Sequence, residues 1–185
     1  MTRRRLPLFA LIVCMALPAY AQDDDAEADN GAYLDAFLRD FEGSSDKLNQ
    51  LAGAFSEEQY SWRPTDGIRS VSEVFVHVTT ANILLASALG FNHDMDRPPM
   101  QEAEQAITSK EDVIADLAMG QTHVREALKL LKEQDLSGEV SAFGQQMSRY
   151  QVLMILGGHS HEHLGQAIAY ARSTGVTPPW SGGGN

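Results

Sequence analysis

Helical periodicity is the feature that most constrains the fold of this chain. Between Tyr33 and Leu51, large apolar side chains recur at steps of three and four residues, and acidic residues fill many of the gaps. This spacing predicts an amphipathic helix. No segment of useful length alternates apolar and polar residues in the way that half-buried strands do. We therefore expect an all-α protein.

Two capping boxes mark the starts of further helices. Residues 70–73, SVSE, pair a serine N-cap with a glutamate three positions later, and the helix that follows is apolar on nearly every side up to Gly90. Residues 148–151, SRYQ, repeat this arrangement and open a helix that runs to about Ser173, with Gly175 as its stop. The first of these two helices should be central, because it lacks a polar face.

Another helix is expected between these two. It begins near Ser109, carries apolar residues at helical spacing and ends before Asp135. Four helices of this length favour a four-helix bundle. The connection at residues 91–108 is long enough to cross over the bundle, so the sequence does not require simple up-down-up-down wiring.

The N-terminus has the three parts of an export signal in the right order. Arginines at 3–5 precede an apolar run at 6–17, and alanines at the ends of residues 19–21 form a small-x-small cleavage site. The apolar run is too short for a membrane-spanning helix. A membrane anchor or a buried N-terminal helix is the alternative interpretation. We predict that residues 1–21 are removed and that the protein is exported, to the periplasm or outside the cell.

The remaining chain is predicted to contain a flexible acidic leader at 22–30, one helical domain at 31–181 and a flexible tail at 182–185. Loss of the three signal arginines takes the formal net charge from −11 to −14. This charge argues against a nucleic-acid partner, because phosphate binding needs a basic face. Nor is a membrane partner expected after cleavage. The only cysteine, Cys14, lies within the signal, which excludes cysteine catalysis and thiolate-bound metal in the mature protein.

Three histidines stand at alternate positions in the segment GGHSHEHLGQ, residues 157–166. At about 100° per residue, His159 and His163 lie about 40° apart on one helix face, whereas His161 points roughly the opposite way. Only the outer pair can therefore share an ion. The face of that pair continues with mostly apolar residues, which predicts that it points into the bundle. These residues are Val152, Ile155, Leu156, Gln166 and Tyr170.

A stable site needs a third ligand, and three histidines remain as candidates. His77 lies on an apolar stripe of the second helix and should be buried. His93 lies in the polar connection, where histidine is ordinarily solvated, and His123 is expected at a helix edge. His77 is therefore the preferred third ligand. The alternative is that His77 is an ordinary core histidine with its own hydrogen bonds. The stripe of His77 contains Val74, Ala81, Leu84 and Leu85.

Two neighbouring features are given other interpretations. The segment is not the zinc-protease motif H-E-x-x-H, because Gly165 stands where the second histidine would be. The face of His161 also carries Gly157, and missing side chains there suggest close helix packing or a dimer contact. His161 itself is interpreted as structural or exposed.

Four separated segments resemble the DinB-like family of four-helix metal-binding proteins, and the resemblance spans residues 31–181. The segments are WRPTDGIRSVSEVFVHV at 62–78, HSHEHLGQ at 159–166, YAR at 170–172 and GVTPPWS at 175–181.

The resemblance implies a ligand set and a cofactor. The family pattern places one histidine in the second helix and H-x-x-x-H before a G-Q pair in the last, which falls on His77, His159 and His163. It implies a divalent ion, zinc or nickel, and many members are homodimers. Members are typically cytoplasmic and act on small molecules, some with low-molecular-weight thiols. An exported relative would meet little such thiol.

The ligand set allows two classes of function. Three neutral imidazoles leave a coordination position open, which suits a metal-dependent hydrolase or transferase acting on a small molecule. The alternative is a non-catalytic protein that uses the same site for metal binding or for structure. Gln166 could hold an imidazole or a ligand, while Glu162 could border the site or face solvent. The sequence identifies no catalytic residue.

Overall fold

The computed structural model describes residues 24–92 and 97–182, with side chains described from Asn30. The predicted signal at 1–21 therefore lies outside the described residues, as does His93. Four long helices, one short helix and a two-stranded hairpin make up the fold. In chain order they are α1 (Asp24–Ala54), α2 (Val71–Ala88), α3 (Met100–Ala106), α4 (Lys110–Leu131), β1 (Glu139–Ala142), β2 (Gln145–Ser148) and α5 (Arg149–Ser173), with 3₁₀ turns at Glu58–Ser61 and Pro179–Ser181.

The four long helices form the predicted four-helix bundle. Helix α2 packs against α4 and α5, and α1 packs against the same two helices from the other side. Helices α1 and α2 therefore stand at opposite corners although they are consecutive long helices in the chain. Helices α2 and α4 run parallel, because both begin in one core cluster and end in the other. The segment containing α3 therefore crosses back along the bundle to connect them, so the wiring is not a simple up-and-down series.

The helix starts follow the sequence signals. Ser70 Oγ accepts the backbone N–H of Glu73 at 3.3 Å, and the Glu73 carboxylate accepts the N–H of Ser70 at 2.6 Å. Ser148 and Gln151 repeat this reciprocal pair at the start of α5. Both predicted capping boxes are thus confirmed. The stop of α5 is confirmed as well, because Gly175 has a φ of +80°, which glycine adopts without steric cost.

Three local elements differ from the sequence-based prediction. Helix α1 begins at Asp24, so residues 24–30 of the predicted flexible leader are helical, and good helix formers such as Ala26 and Ala28 favour this extension. The hairpin was missed because each strand has only four residues, too few for an alternating pattern. Its turn places Phe143 and Gly144 at positive φ, as tight hairpin turns require. Helix α3 was missed because it has seven residues.

Helix α2 is the central element, as its composition predicts. It is long and apolar enough to cross a membrane, but 67% of it is buried inside the bundle, as in the core helix of a soluble protein. Its closest neighbour is α4. A Cβ atom added at Gly120 would lie 2.9 Å from the Cα of Thr79. Helix α4 therefore packs tightly against α2 at Thr79, two residues after His77.

Candidate metal centre

Helices α2 and α5 bring three imidazoles together, of which His163 is buried while His77 and His159 are partly buried. His159 and His163 lie one turn apart on α5, with ring centroids 4.4 Å apart. The His77 ring on α2 has its centroid 5.1 Å from that of His159 and 4.7 Å from that of His163. One ring nitrogen from each histidine lies within 4.8 Å of the other two. The three residues selected from the sequence therefore form one cluster that could hold a metal ion.

The other two described histidines lie elsewhere. His161 is exposed, and its Nε2 lies 2.8 Å from Asp40 Oδ2 on α1, in agreement with the predicted outward direction. His123 was expected at a helix edge, but this is wrong, because only 6% of it is exposed. The ring of Phe91, from the crossover segment, packs at 5.4 Å from the His123 ring. Nδ1 of His123 lies 2.9 Å from the Met119 carbonyl oxygen.

The helix faces that were predicted to point into the bundle were also too wide. Leu84 on α2 is 50% exposed and Ile155 on α5 is 38% exposed, although both were placed on the faces of the site histidines. The other apolar members of these stripes are buried, as predicted. They are Val74, Ala81, Leu85, Val152, Leu156 and Tyr170.

Hydrogen bonds to two of the imidazoles indicate that each carries its proton on Nδ1, the ring nitrogen that points away from the cluster. Nδ1 of His77 lies 3.0 Å from Glu104 Oε1, and Nδ1 of His163 lies 2.8 Å from Gln166 Oε1. Carboxylate and amide oxygens accept hydrogen bonds, so each Nδ1 carries the proton. The Nε2 lone pairs of both rings are then available to a metal ion, as is usual for histidine ligands.

His159 supplies an independent test of whether the cluster fits a cation. Its Nε2 lies 3.2 Å from Nε2 of His77, and its Nδ1 is buried without a hydrogen-bond partner among the described residues. Two Nε2 lone pairs facing each other repel unless a proton or a cation lies between them. Zinc–nitrogen bonds of about 2.0–2.1 Å in a tetrahedral site separate ligand nitrogens by about 3.3–3.4 Å. The observed separation fits such an ion.

The protonation states suit metal binding. Burial, with smaller contributions from Arg69 and His163, lowers the pKa of His77 to about 4. Burial likewise lowers the pKa of His159 to about 4, with contributions from His163 and His77, while Glu162 acts in the opposite direction. Both rings are therefore neutral at neutral pH, and neutral imidazole is the form that binds metal.

Comparison with known proteins now decides the family. The family model described as the DinB superfamily matches residues 40–167, well over half of the chain. The chain belongs to the DinB superfamily. The resemblance to the DinB-like family is thus confirmed.

Similar DinB proteins share both sequence and fold with this chain. The uncharacterized protein YjoA of Bacillus subtilis (strain 168) is 26% identical over 132 residues, which are 70% of this chain and 82% of YjoA. A crystal structure of a DinB-like protein from Bacillus cereus ATCC 10987 superposes with a TM-score of 0.63 at 24% identity, covering 78% of this chain and 95% of that one. The crystal structure of Bacillus subtilis YjoA gives a TM-score of 0.55 at 20% identity, over 77% and 93% of the two chains. These structures support the DinB-like fold.

A chain of hydrogen bonds surrounds the histidine cluster of this DinB protein. Arg69 Nε donates to Glu104 Oε1 at 3.0 Å, the same oxygen that binds His77. On the other side, Gln166 Nε2 donates to the Tyr170 hydroxyl at 3.0 Å, and that hydroxyl donates to the Arg69 carbonyl at 3.0 Å. Arg69 thus connects the hydrogen bonds that orient the His77 ring to those that orient the His163 ring.

Sequence reasoning identified Gln166 but missed Glu104 and Arg69. Glu104 lies on α3, a short helix without a periodic apolar stripe, so nothing local indicated that this carboxylate is buried. Arg69 directly precedes the capping box of α2 and lies within the first segment that resembles the family. The position of Glu162 is also settled, because its side chain is exposed.

A cleft of about 640 Å³ adjoins the cluster. Its lining is largely polar, and Glu104 and Gln166 belong both to this lining and to the immediate surroundings of the histidines. The polar lining includes Arg63, Arg69, Glu73, Gln101, Glu104 and Gln166. Trp62 and Tyr150 pack on other aromatic rings. The Trp62 ring contacts Tyr170 with centroids 5.2 Å apart, and Tyr150 packs on Tyr33 in the other half of the core.

Proposed function

We propose that this protein binds a divalent transition metal through His77, His159 and His163 and uses it to hydrolyse a small molecule or to transfer a group from it. The observation that carries this proposal is the convergence of three imidazole nitrogens beside a cleft of about 640 Å³. Among the described residues, the candidate ligand group has three members. Three protein ligands are typical of catalytic sites, whereas structural zinc sites usually have four.

Zinc and nickel are the ions that we propose, because the family resemblance implies them and the ligand set is compatible with both. Imidazole is a ligand of intermediate softness that binds zinc, copper, iron and nickel, and no thiolate is available from the described residues. A divalent ion with an open coordination position supplies Lewis-acid chemistry, because it polarises a carbonyl or phosphoryl oxygen and lowers the pKa of water. We place this activity outside the cytoplasm, on the strength of the export pattern at residues 1–21.

The chain's own residues position the ligands. Glu104 accepts the Nδ1 proton of His77, which fixes the ring orientation and increases the basicity of Nε2. Gln166 does the same for His163 and is itself held by Tyr170. Because these residues also border the cleft, a bound molecule would contact the groups that orient the ligands.

Metal analysis of the purified protein and its alanine variants tests the site. We expect about one zinc or nickel ion per chain, and a loss of most of the bound metal in His77→Ala, His159→Ala and His163→Ala. The matched control is His161→Ala on the same helix, which should keep its metal because His161 faces solvent and Asp40. Equal loss in His161→Ala, or full retention in any of the other three, contradicts the proposed ligand set.

Turnover is tested separately from metal content. Metal-stripped protein and protein reconstituted with zinc or nickel are compared on panels of small esters, amides and phosphoesters. Activity that appears only after reconstitution, and that is absent from His159→Ala, supports the enzyme. Stoichiometric metal without turnover on any panel would instead support the non-catalytic metal-binding alternative.

A further inference from the structure

Arg69 lines the cleft, shares a Glu104 oxygen with His77 and is held by two hydrogen bonds. Its Nε donates to Glu104 Oε1 at 3.0 Å, and its backbone carbonyl accepts the Tyr170 hydroxyl at 3.0 Å. The side chain is 39% exposed and lines the cleft. Backbone and side chain are thus both fixed, so this guanidinium has lost much of its conformational freedom before any ligand binds. Such preorganisation reduces the entropic cost of binding.

The terminal nitrogens of Arg69 are available to a ligand. Arginine has five N–H donors, and within the described part of the chain Arg69 uses only the one on Nε. The other cleft arginine differs in this respect. Arg63 donates from one terminal nitrogen to the Ile68 carbonyl at 2.9 Å and from the other to Glu73 at 3.0 Å. Arg63 therefore holds the loop before α2, whereas Arg69 keeps four donors for a bound molecule.

The charges around the cleft leave Arg69 as the group that can attract an anion. The whole chain has 25 acidic and 14 basic residues, so its overall field repels anions. Glu73 is engaged by Arg63 and by the N–H of Ser70. The Glu104 oxygen nearest to Arg69 is shared with His77. A planar guanidinium with free terminal donors is the group that binds carboxylate and phosphate in a bidentate manner.

We propose that Arg69 forms an oxyanion subsite beside the metal centre and binds a carboxylate or phosphate group of the substrate. Arg69 Nε and His77 Nδ1 each lie 3.0 Å from the same Glu104 oxygen, so these two nitrogens are at most 6.0 Å apart. A molecule anchored at Arg69 would therefore lie close to the His77 ring. The substrate class is a small molecule with an anionic group close to its reactive bond.

The assignment of a substrate role rests on the proposed function, whereas anion binding by Arg69 does not. The first experiment therefore uses metal-stripped protein, titrated separately with acetate and with inorganic phosphate at constant ionic strength. Binding is followed by ¹⁵N NMR, in which the arginine Nε–H signals report directly on the guanidinium. We expect saturable shifts of the Arg69 signal with at least one anion, and the anion that binds more tightly identifies the preferred group.

Three variants make the titration specific. Arg69→Gln should weaken binding by about tenfold or more, because it removes charge-assisted hydrogen bonds to the anion. Arg69→Lys keeps the charge but loses the planar fork, so its affinity should fall between those of wild type and Arg69→Gln. Arg39→Gln is the matched control, since Arg39 is an exposed arginine of α1 outside the cleft lining, and it should bind anions like wild type. The backbone spectra of the variants show whether each is folded.

The outcomes separate the two proposals. Equal anion affinity in wild type and in folded Arg69→Gln, or no saturable shift with either anion, overturns the subsite. If the wild type holds no metal but binds anions through Arg69, the metal-dependent function fails while the oxyanion site stands. If metal binds through the three histidines and anion binding is independent of Arg69, the metal centre stands and the subsite fails.

Discussion

Glu104 Oε1 accepts the Nδ1 proton of His77 across 3.0 Å, which connects the crossover helix α3 to the candidate metal centre. Glu104 is only 9% exposed. Its position depends on the packing of α3 against α2 and not on any neighbour in sequence, because 27 residues separate the two side chains.

Removing this carboxylate should weaken metal binding. We expect Glu104→Ala to lower zinc affinity about 10- to 100-fold, since loss of the group that orients a histidine ligand typically has this effect. Glu104→Gln keeps an oxygen acceptor and should lose less. Competition with a zinc chelator measures the affinities. Glu102→Ala, an exposed position on the same helix, is the control and should bind zinc like wild type. Unchanged affinity in Glu104→Ala would show that His77 does not depend on this contact.

The close crossing of α2 and α4 predicts a strong effect of a single methyl group. Gly120→Ala should lower the free energy of unfolding by about 1–3 kcal/mol, because the added Cβ would lie 2.9 Å from the Thr79 backbone. Gly43→Ala is the matched control. Position 43 lies in α1 with nothing within 4 Å of the added Cβ, so alanine there should stabilise by about 0.5–1 kcal/mol. Urea denaturation of both variants checks the contrast, and equal effects would argue against the tight crossing.

A buried ion pair ties the crossover segment to the bundle. Arg97 donates to both carboxylate oxygens of Asp116 on α4 and to the Thr80 hydroxyl on α2, and the two charged side chains are 9% and 5% exposed. Asp116→Ala should lower the free energy of unfolding by about 3–5 kcal/mol, because it leaves a buried guanidinium without its counter-charge.

The double variant Arg97→Met with Asp116→Leu tests the cause of that loss. It removes both charges and should be less destabilised than Asp116→Ala alone. Thermal or urea denaturation of the three proteins gives the comparison. If the double variant is the least stable, the pair itself contributes more than the cost of an isolated charge.

The lowered histidine pKa values predict how pH changes the stability of metal-free protein. His77 and His159 have pKa values of about 4 when folded, against about 6.5 in an unfolded chain. Between these values the unfolded state binds more protons, so the free energy of unfolding should fall as the pH falls from about 6.5 to 4. Urea midpoints at about pH 7, 6 and 5 measure this slope.

A variant comparison isolates the two rings from other acid-sensitive groups. The double variant His77→Gln with His159→Gln should show a shallower loss of stability over the same pH range. His161→Gln should keep the wild-type slope, because that ring is exposed. The same slope in all three proteins would show that the buried imidazoles do not control the acid sensitivity.

The parts of the fold that the sequence predicts well are those with local causes. Capping boxes depend on residues three positions apart, and the facing of His159 and His163 depends only on helix geometry, so both could be predicted. Burial decided by distant segments could not. His123 is buried because Phe91 covers it, and Glu104 is buried because α3 packs on α2.

The widths of the buried helix faces could not be predicted from the sequence either. Leu84 and Ile155 share helix faces with buried residues, yet both are substantially exposed. Periodicity gives the direction of a face, but the edge of that face is set by how closely the neighbouring helices approach. The metal cluster was predictable because the four-residue spacing of His159 and His163 sets their common direction on α5, while the supporting residues outside α5 come from connecting segments.

His77 and His159 are 82 residues apart in the chain but face each other at 3.2 Å. An ion between them would link α2 to α5 in the manner of a reversible cross-link, and the unfolded chain would have to close that long loop to bind it equally well. The melting temperature should therefore rise with the concentration of free zinc or nickel. The stability of the protein would then depend on the supply of metal.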